Sequence, residues 1–147
     1  MKAIYFPIIV LLAFTLACQD SIRLEPLTLS TKDFSLDLTN AWWIEPGQGI
    51  DTYVGIFTDG HQEIRYDYGY FAFHSVDLIV PDSATLYFEE TLIDGFPAKL
   101  LHESSEFGTT LFLYIETPQV DDKAKLWIHN PEDLDEAITS FKSFRFL

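Results

Sequence analysis

The stretch DTYVGIFTDGHQEIRYDYGY, Asp51 to Tyr70, decides the fold class. Asp59-Gly60 lies between two runs rich in aromatic and β-branched residues, 51–58 and 62–70. An Asp-Gly pair so flanked signals a β-hairpin, because a type I′ turn needs positive φ at both central positions. In the second run Tyr66, Tyr68 and Tyr70 share one face, while Asp67, Gly69, Phe71 and Phe73 share the other. Gly69 beside such bulk suggests a bulge or a close backbone approach.

The same signals recur outward from this hairpin. Asp94-Gly95 separates the runs 84–93 and 96–102, and 109–117 and 124–129 read as two further strands. Towards the N-terminus, Phe34, Leu36 and Leu38 alternate with Ser35 and Asp37. Residues 40–44 continue in extended form, followed by a turn over Glu45-Pro46-Gly47-Gln48-Gly49. Trp42 and Trp43 are adjacent, so an extended backbone points them to opposite sides and only one joins a core easily. The last element is helical: Asn130 caps it, Pro131 takes its first position, and Glu132, Asp133, Asp135 and Glu136 crowd the positive end of its dipole. Leu134, Ala137, Ile138 and Phe141 then form one apolar face. The pattern predicts a helix from Pro131 to Ser143 and a short closing strand in 144–147. The expected fold class is α+β, a single antiparallel sheet of about six or seven strands with a C-terminal helix packed on it.

Composition fits one such domain. Among 147 residues, 48% are hydrophobic, 16% aromatic and 22% charged, which excludes a disordered tail or a multi-pass membrane protein. Nine basic residues against 23 acidic ones give a net charge of −14. A nucleic-acid partner is therefore not expected, since a polyanion needs a positive face.

The N-terminus sets the expected address. Lys2 is followed by an uncharged run to Ala17 that is too short to span a bilayer comfortably and has the form of a secretory leader. Cys18, the sole cysteine, follows Leu16-Ala17 and precedes polar Gln19-Asp20-Ser21. This stretch resembles the lipobox of bacterial lipoproteins, although Thr15 and Leu16 depart from its commonest pattern. The resemblance implies cleavage before Cys18, acyl chains on its thiol and amine, and a membrane-anchored protein of the bacterial envelope. Gln19 favours the outer membrane by the same analogy. Two or three acyl chains hold a protein firmly, and a net negative domain gains nothing from anionic headgroups. The expected organisation is a leader over 1–17, a lipidated N-terminus and short tether over 18–31, and one α+β domain over 32–147. Ile22, Leu24, Leu27 and Leu29 are too apolar for a free linker, so part of the tether should pack on the domain.

Gly49-Ile50-Asp51-Thr52-Tyr53-Val54-Gly55, followed by Tyr66-Asp67-Tyr68-Gly69-Tyr70, resembles a motif pair in small uncharacterised bacterial lipoproteins. More distantly, the strands and the final helix ending in Ser140-Phe141-Lys142-Ser143-Phe144-Arg145-Phe146 are similar to PsbP-like domains. That likeness implies an antiparallel sheet covered by helices in an accessory or assembly factor, with no catalytic residues to carry over.

Catalytic patterns are sparse. His61, His74, His102 and His129 stand at least thirteen residues apart and form no zinc-ligand spacing. No nucleophile elbow, phosphate loop or dinucleotide fingerprint occurs. Glu89-Glu90 and Asp121-Asp122 read as solvated charge, without the alternation of a calcium loop. No catalytic residue, metal or cofactor is expected. The leading expectation is a non-catalytic, lipid-anchored, monomeric envelope protein that binds or helps assemble a partner protein. An alternative is a carbohydrate- or small-ligand-binding module using the aromatic hairpin, with a surface drawn from Trp42, Trp43, Asp51, Tyr53, Tyr66, Asp67, Tyr68 and Tyr70. A third is a hydrolase working through Asp51 and Asp67 as paired carboxylates.

Overall fold

A computed structural model describes residues 26–39, 42–118 and 123–147. The leader-like segment, Cys18, Asn40-Ala41 and Asp121-Asp122 lie outside the described residues. Ten strands and one α-helix are present among those described: β1 (Leu27–Ser30), β2 (Phe34–Leu38), β3 (Trp43–Pro46), β4 (Tyr53–Thr58), β5 (Glu63–Tyr68), β6 (Thr85–Ile93), β7 (Phe96–Ser105), β8 (Gly108–Glu116), β9 (Lys123–His129), α1 (Leu134–Lys142) and β10 (Arg145–Phe146).

The strands form two sheets where the sequence suggests one. Seven strands run in the order β3-β4-β5-β9-β8-β7-β6, and three in the order β1-β2-β10, with every pairing antiparallel. The second sheet joins chain ends far apart in sequence. β2 pairs with β1 on one side and with β10 on the other, and the Leu147 amide donates to the Asp33 carbonyl. Leu27–Ser30, inside the segment read as a tether, is therefore a strand.

The small sheet and α1 both pack on one face of the large sheet and close the core. Phe34, Leu36 and Leu38 of β2 and Ala137 and Phe141 of α1 are buried against Ile64, Tyr66, Leu113 and Leu126. Phe34 is the centre of an aromatic knot: its ring stacks on Phe144 at 4.9 Å and meets Tyr66 edge-on at 5.2 Å. Such pairs add directional preference to the burial of apolar area.

Local chemistry explains where elements start and stop. Asp94 and Gly95 both have positive φ, 54° and 84°, as a two-residue I′ hairpin requires. The Asp59-Gly60 turn differs: four residues connect β4 to β5, Gly60 alone has positive φ, and the Asp59 carboxylate accepts from the His61 and Gln62 amides. Glu45 and Pro46 belong to β3 rather than to a turn, which an edge strand permits because its outward side needs no N–H. The helix begins at Leu134, three residues later than expected. Asp133 is its cap, accepting from the Glu136 amide at 2.9 Å. Asn130 instead closes the β8–β9 ladder: with φ 45° it accepts from the Thr109 amide and donates its own to the Thr109 carbonyl.

The connection from β5 to β6, residues 69–84, crosses the outer face of the large sheet over β9, β8 and β7. Val76, in a 3₁₀ turn spanning Val76–Leu78, packs with Leu101 and Tyr114, flanked by Phe73, Ile79, Phe88 and Phe112. Polar clasps hold this strap in place. The buried Lys123 ammonium sits 3.1 Å from the Glu116 carboxylate, donates to the His74 carbonyl at 2.6 Å, and lies over the rings of Tyr70 and Phe73. Glu116 also accepts from the Val76 amide at 2.8 Å. Lys99 donates to the Ile79 carbonyl further along.

Burial pushes the Glu116 carboxyl up, but the Val76 amide and Lys123 outweigh it and leave it below its ordinary value of 4.5. A depressed carboxyl contributes stability that is complete above pH 4.5 and is lost as pH falls through its folded value. The protection factor of the Val76 amide, its exchange referred to the intrinsic rate at each pH, should therefore fall from pH 4.5 downward. Glu116→Gln should abolish that acid-dependent fall; an unchanged pH profile in the variant would rule this clasp out as its source.

Candidate functional site

The eight residues of the expected aromatic surface do not lie together. Tyr66 is in the core at 1% exposure, and Tyr53 and Tyr68 are half-buried against it. Trp42 also packs against the core, while Trp43 is 45% exposed on β3 and donates from Nε1 to Glu45 at 2.9 Å. Tyr70 is exposed at the start of the strap, beside Phe71. Tyr66 and Tyr68 therefore face inward while Tyr70 lies on the strap, and the platform the three were expected to form is corrected. The cause is the position of β5 between β4 and β9: Ile64, Tyr66 and Tyr68 occupy the covered face, and Glu63, Arg65 and Asp67 the outer one.

The carboxylate pair fares no better as a catalytic unit. Asp51 is exposed on the loop before β4, so it lacks the shielding that a general acid needs. Asp67 lies on the outer face, opposite Val54 and Lys125, with one carboxylate oxygen buried and without a hydrogen bond. No hydrogen bond or ion pair joins the two. Among the described residues, no group of three or more His, Cys, Asp or Glu is placed to hold a metal ion. No helix among them is long and apolar enough to cross a membrane.

Two other places concentrate accessible chemistry. The first is the half of the outer sheet face that the strap leaves open. Strand registers align Ile56, Arg65, Trp127 and Phe112 in one row across β4, β5, β9 and β8, continuing beneath the strap as Leu101 and Phe88. The open members are half-buried or exposed. In the adjacent row, the Lys125 ammonium lies 5.2 Å from the Phe112 ring centre, 5.3 Å from Trp127 and 5.6 Å from Tyr114. Such contacts place a cation over aromatic faces without withdrawing it fully from water. The alternation Lys123, Lys125, Trp127 marks this face in the sequence of β9, but its apposition to Arg65 and Phe112 depends on pairings distant along the chain.

The second place is a cavity of about 310 Å³ at the N-terminal end of α1. Leu38, Ile64, Ile128 and Ala137 supply buried apolar walls, together with half-buried Trp42. Asp59, Glu132, Asp133 and Glu136 supply carboxylates, and Gln62 bridges the β4–β5 loop to the helix approach by donating to the Asn130 carbonyl. Burial raises the Asp59 carboxyl, but the Gln62 and His61 amides hold it below its ordinary value.

No protein-family model matches the chain, and no curated protein matches it.

Proposed function

We propose that this chain is a non-catalytic, lipid-anchored protein of the bacterial cell envelope, tethered through acyl chains on Cys18, that binds a partner protein. The observation that carries the binding role is the open row of Ile56, Arg65, Trp127 and Phe112, bordered by the cationic Lys125. Aromatic side chains and arginine are enriched at protein interfaces, where they bring large contact area at modest entropic cost. The sequence likenesses to small lipoproteins and to PsbP-like accessory domains support the same role. Outer-membrane attachment facing the periplasm or the cell surface follows from the lipobox and Gln19, and the domain is monomeric apart from its partner.

Mild cross-linking of the native lipidated protein in its own envelope, followed by mass spectrometry, tests this. A reproducible protein partner is expected, and Trp127→Ala combined with Trp43→Ala, whose register opposite Thr58 puts it on the same sheet face as Ile56, should reduce its recovery at least tenfold. Equal recovery with the variant would exclude this face. In parallel, Cys18→Ser should move the protein from the membrane fraction to the soluble one. Persistent membrane association would overturn the lipid anchor.

A further inference from the structure

We propose that the open edge of β6 binds an extended segment of a partner protein as an additional antiparallel strand, one that sets a basic residue between two apolar ones. β6 ends the large sheet on the side away from β3, outside the open row of Ile56, Arg65, Trp127 and Phe112. The inference therefore goes beyond that face and is tested apart from it.

The two edges of the large sheet are unlike. β3 is four residues long and ends in Pro46, features that discourage further pairing. β6 is nine residues long, contains neither proline nor lysine, and has one irregularity, a bulge between Thr85 and Tyr87. From Tyr87 to Ile93 it is a regular template. The I′ hairpin at Asp94-Gly95 makes Ile93 and Phe96 a hydrogen-bonded pair, so Thr91, Glu89 and Tyr87 also turn their N–H and C=O groups towards β7. Those of Phe88, Glu90 and Leu92 point away from the sheet. Among the described residues, no strand or loop backbone bonds to them.

Side chains along this edge define the strand that fits. Phe88, Glu90 and Leu92 alternate on the strap side, where Glu90 pairs with Lys99 at 3.0 Å yet remains exposed. Lys99 also holds the Ile79 carbonyl, which puts the exposed Leu78 and Val80 on that same side of the sheet. Leu92 is exposed as well. A strand laid antiparallel on β6 therefore meets apolar surface at Phe88 and Leu92 and, between them, the Glu90 carboxylate. Glu89 faces the helix side and is already held by Lys142 at 2.8 Å. Cross-strand pairs favour apolar against apolar and lysine or arginine against glutamate. The same acids exclude a second copy as the fitting occupant. The two antiparallel registers centred on β6 set Glu89 against Glu89 or Glu90 against Glu90, and like charges directly opposite repel. The net charge of −14 adds to that repulsion. In strand addition, main-chain bonds supply the affinity and alternate side chains the choice of partner.

The probe is the acetylated, amidated peptide Thr-Val-Thr-Lys-Thr-Val-Thr, added to the full chain carrying Cys18→Ser at pH 7 and followed by amide NMR. In the free chain the Tyr87, Glu89 and Thr91 amides should be protected from exchange, and those of Phe88, Glu90 and Leu92 open. The peptide should shift the latter three saturably and slow their exchange at least tenfold. Methylating the backbone nitrogens of its valines and lysine, which face β6, should abolish binding. Methylating those of its two inner threonines, which face away, should leave binding intact. Glutamate in place of the lysine should weaken binding at least fivefold, and Glu90→Lys should reverse that preference. No saturable shift, indifference to which nitrogens are methylated, or an unchanged preference in Glu90→Lys would each overturn the proposal. So would protection of all six amides in the free chain, which would mean that the edge is already covered. Shifts at Phe88, Glu90 and Leu92 that grow with protein concentration alone would give the edge to a second copy and overturn it too. Peptide binding should survive Trp43→Ala, Trp127→Ala unchanged, so failure of this edge and failure of the open face are told apart.

Discussion

Gly55→Ala is expected to destabilise the domain by about 3 kcal/mol, the upper end of the range for overpacking a core. A Cβ at this position would come within 2.5 Å of the Tyr66 ring carbon Cζ, closer still to the Tyr66 hydroxyl, and 2.9 Å from the Glu45 carbonyl. Neither neighbour can yield easily. The carbonyl belongs to the paired backbone of β3, and the Tyr66 ring is held by Phe34 at 5.2 Å, Phe57 at 5.3 Å and Tyr53 at 5.7 Å. The Tyr66 hydroxyl is itself buried without a hydrogen bond, and burial beside the Tyr53 phenol pushes its pKa above the ordinary tyrosine value. Tyr66→Phe alone should therefore be neutral or slightly stabilising, since it removes an unsatisfied polar atom. In the Gly55→Ala background it should recover only part of the loss, because Cζ remains. Urea titration measures all three variants. A Gly55→Ala midpoint equal to wild type would mean that β3 and β4 separate freely, contrary to the tight packing at this crossing.

Lys123→Met should cost about 2–3 kcal/mol, somewhat below the loss on breaking a fully buried ion pair because Glu116 retains partial access to water. Methionine keeps the apolar stem but removes the charge that Glu116, the His74 carbonyl and two aromatic rings share. Glu116→Gln should cost less, since glutamine still accepts from the Val76 amide. The loss should be local before it is global: amides at Ala72 and Val76 exchange faster, while those of β5 hold. Arg65→Met is the surface control. Arg65 pairs with Glu63 at 2.7 Å, but both are about half exposed, and such pairs contribute under about 1 kcal/mol. If Lys123→Met proved no more damaging than Arg65→Met, the strap would owe its position to apolar packing alone.

What could be read from the chain was set by how local its cause is. The hairpin at Asp94-Gly95 and the alternation in Phe34–Leu38 depend on neighbours within a few residues, and both were legible. The helix start was misplaced because Asn130 and Asp133 are equally good caps in isolation. The need for a side-chain acceptor at Thr109 claims Asn130, and Gly108, at φ 119°, leaves it room. The second sheet was hidden because β10 meets β2 across nearly the whole chain. Alternation identified the tyrosine face of β5 but could not say which way it points. Glu63, Arg65 and Asp67 on the opposite side carried that information. The row through Ile56, Arg65, Trp127 and Phe112 needs three registers at once, so no sequence window contains it.

The place of β9 in the large sheet constrains the order in which this chain can acquire its structure. β3-β4-β5 and β6-β7-β8 are each contiguous meanders, yet β5 and β8 are joined only through β9 between them. Until residues 123–129 are available, a growing chain holds two half-sheets whose facing edges are unpaired. The small sheet waits longer still, for Arg145 and Phe146 to reach β2. Pairings of such long range make folding slow and leave open edges attractive to other chains. Completion thus waits for β9 and then β10, and a chaperone that shields the β5 and β8 edges would act at the step where misassembly begins.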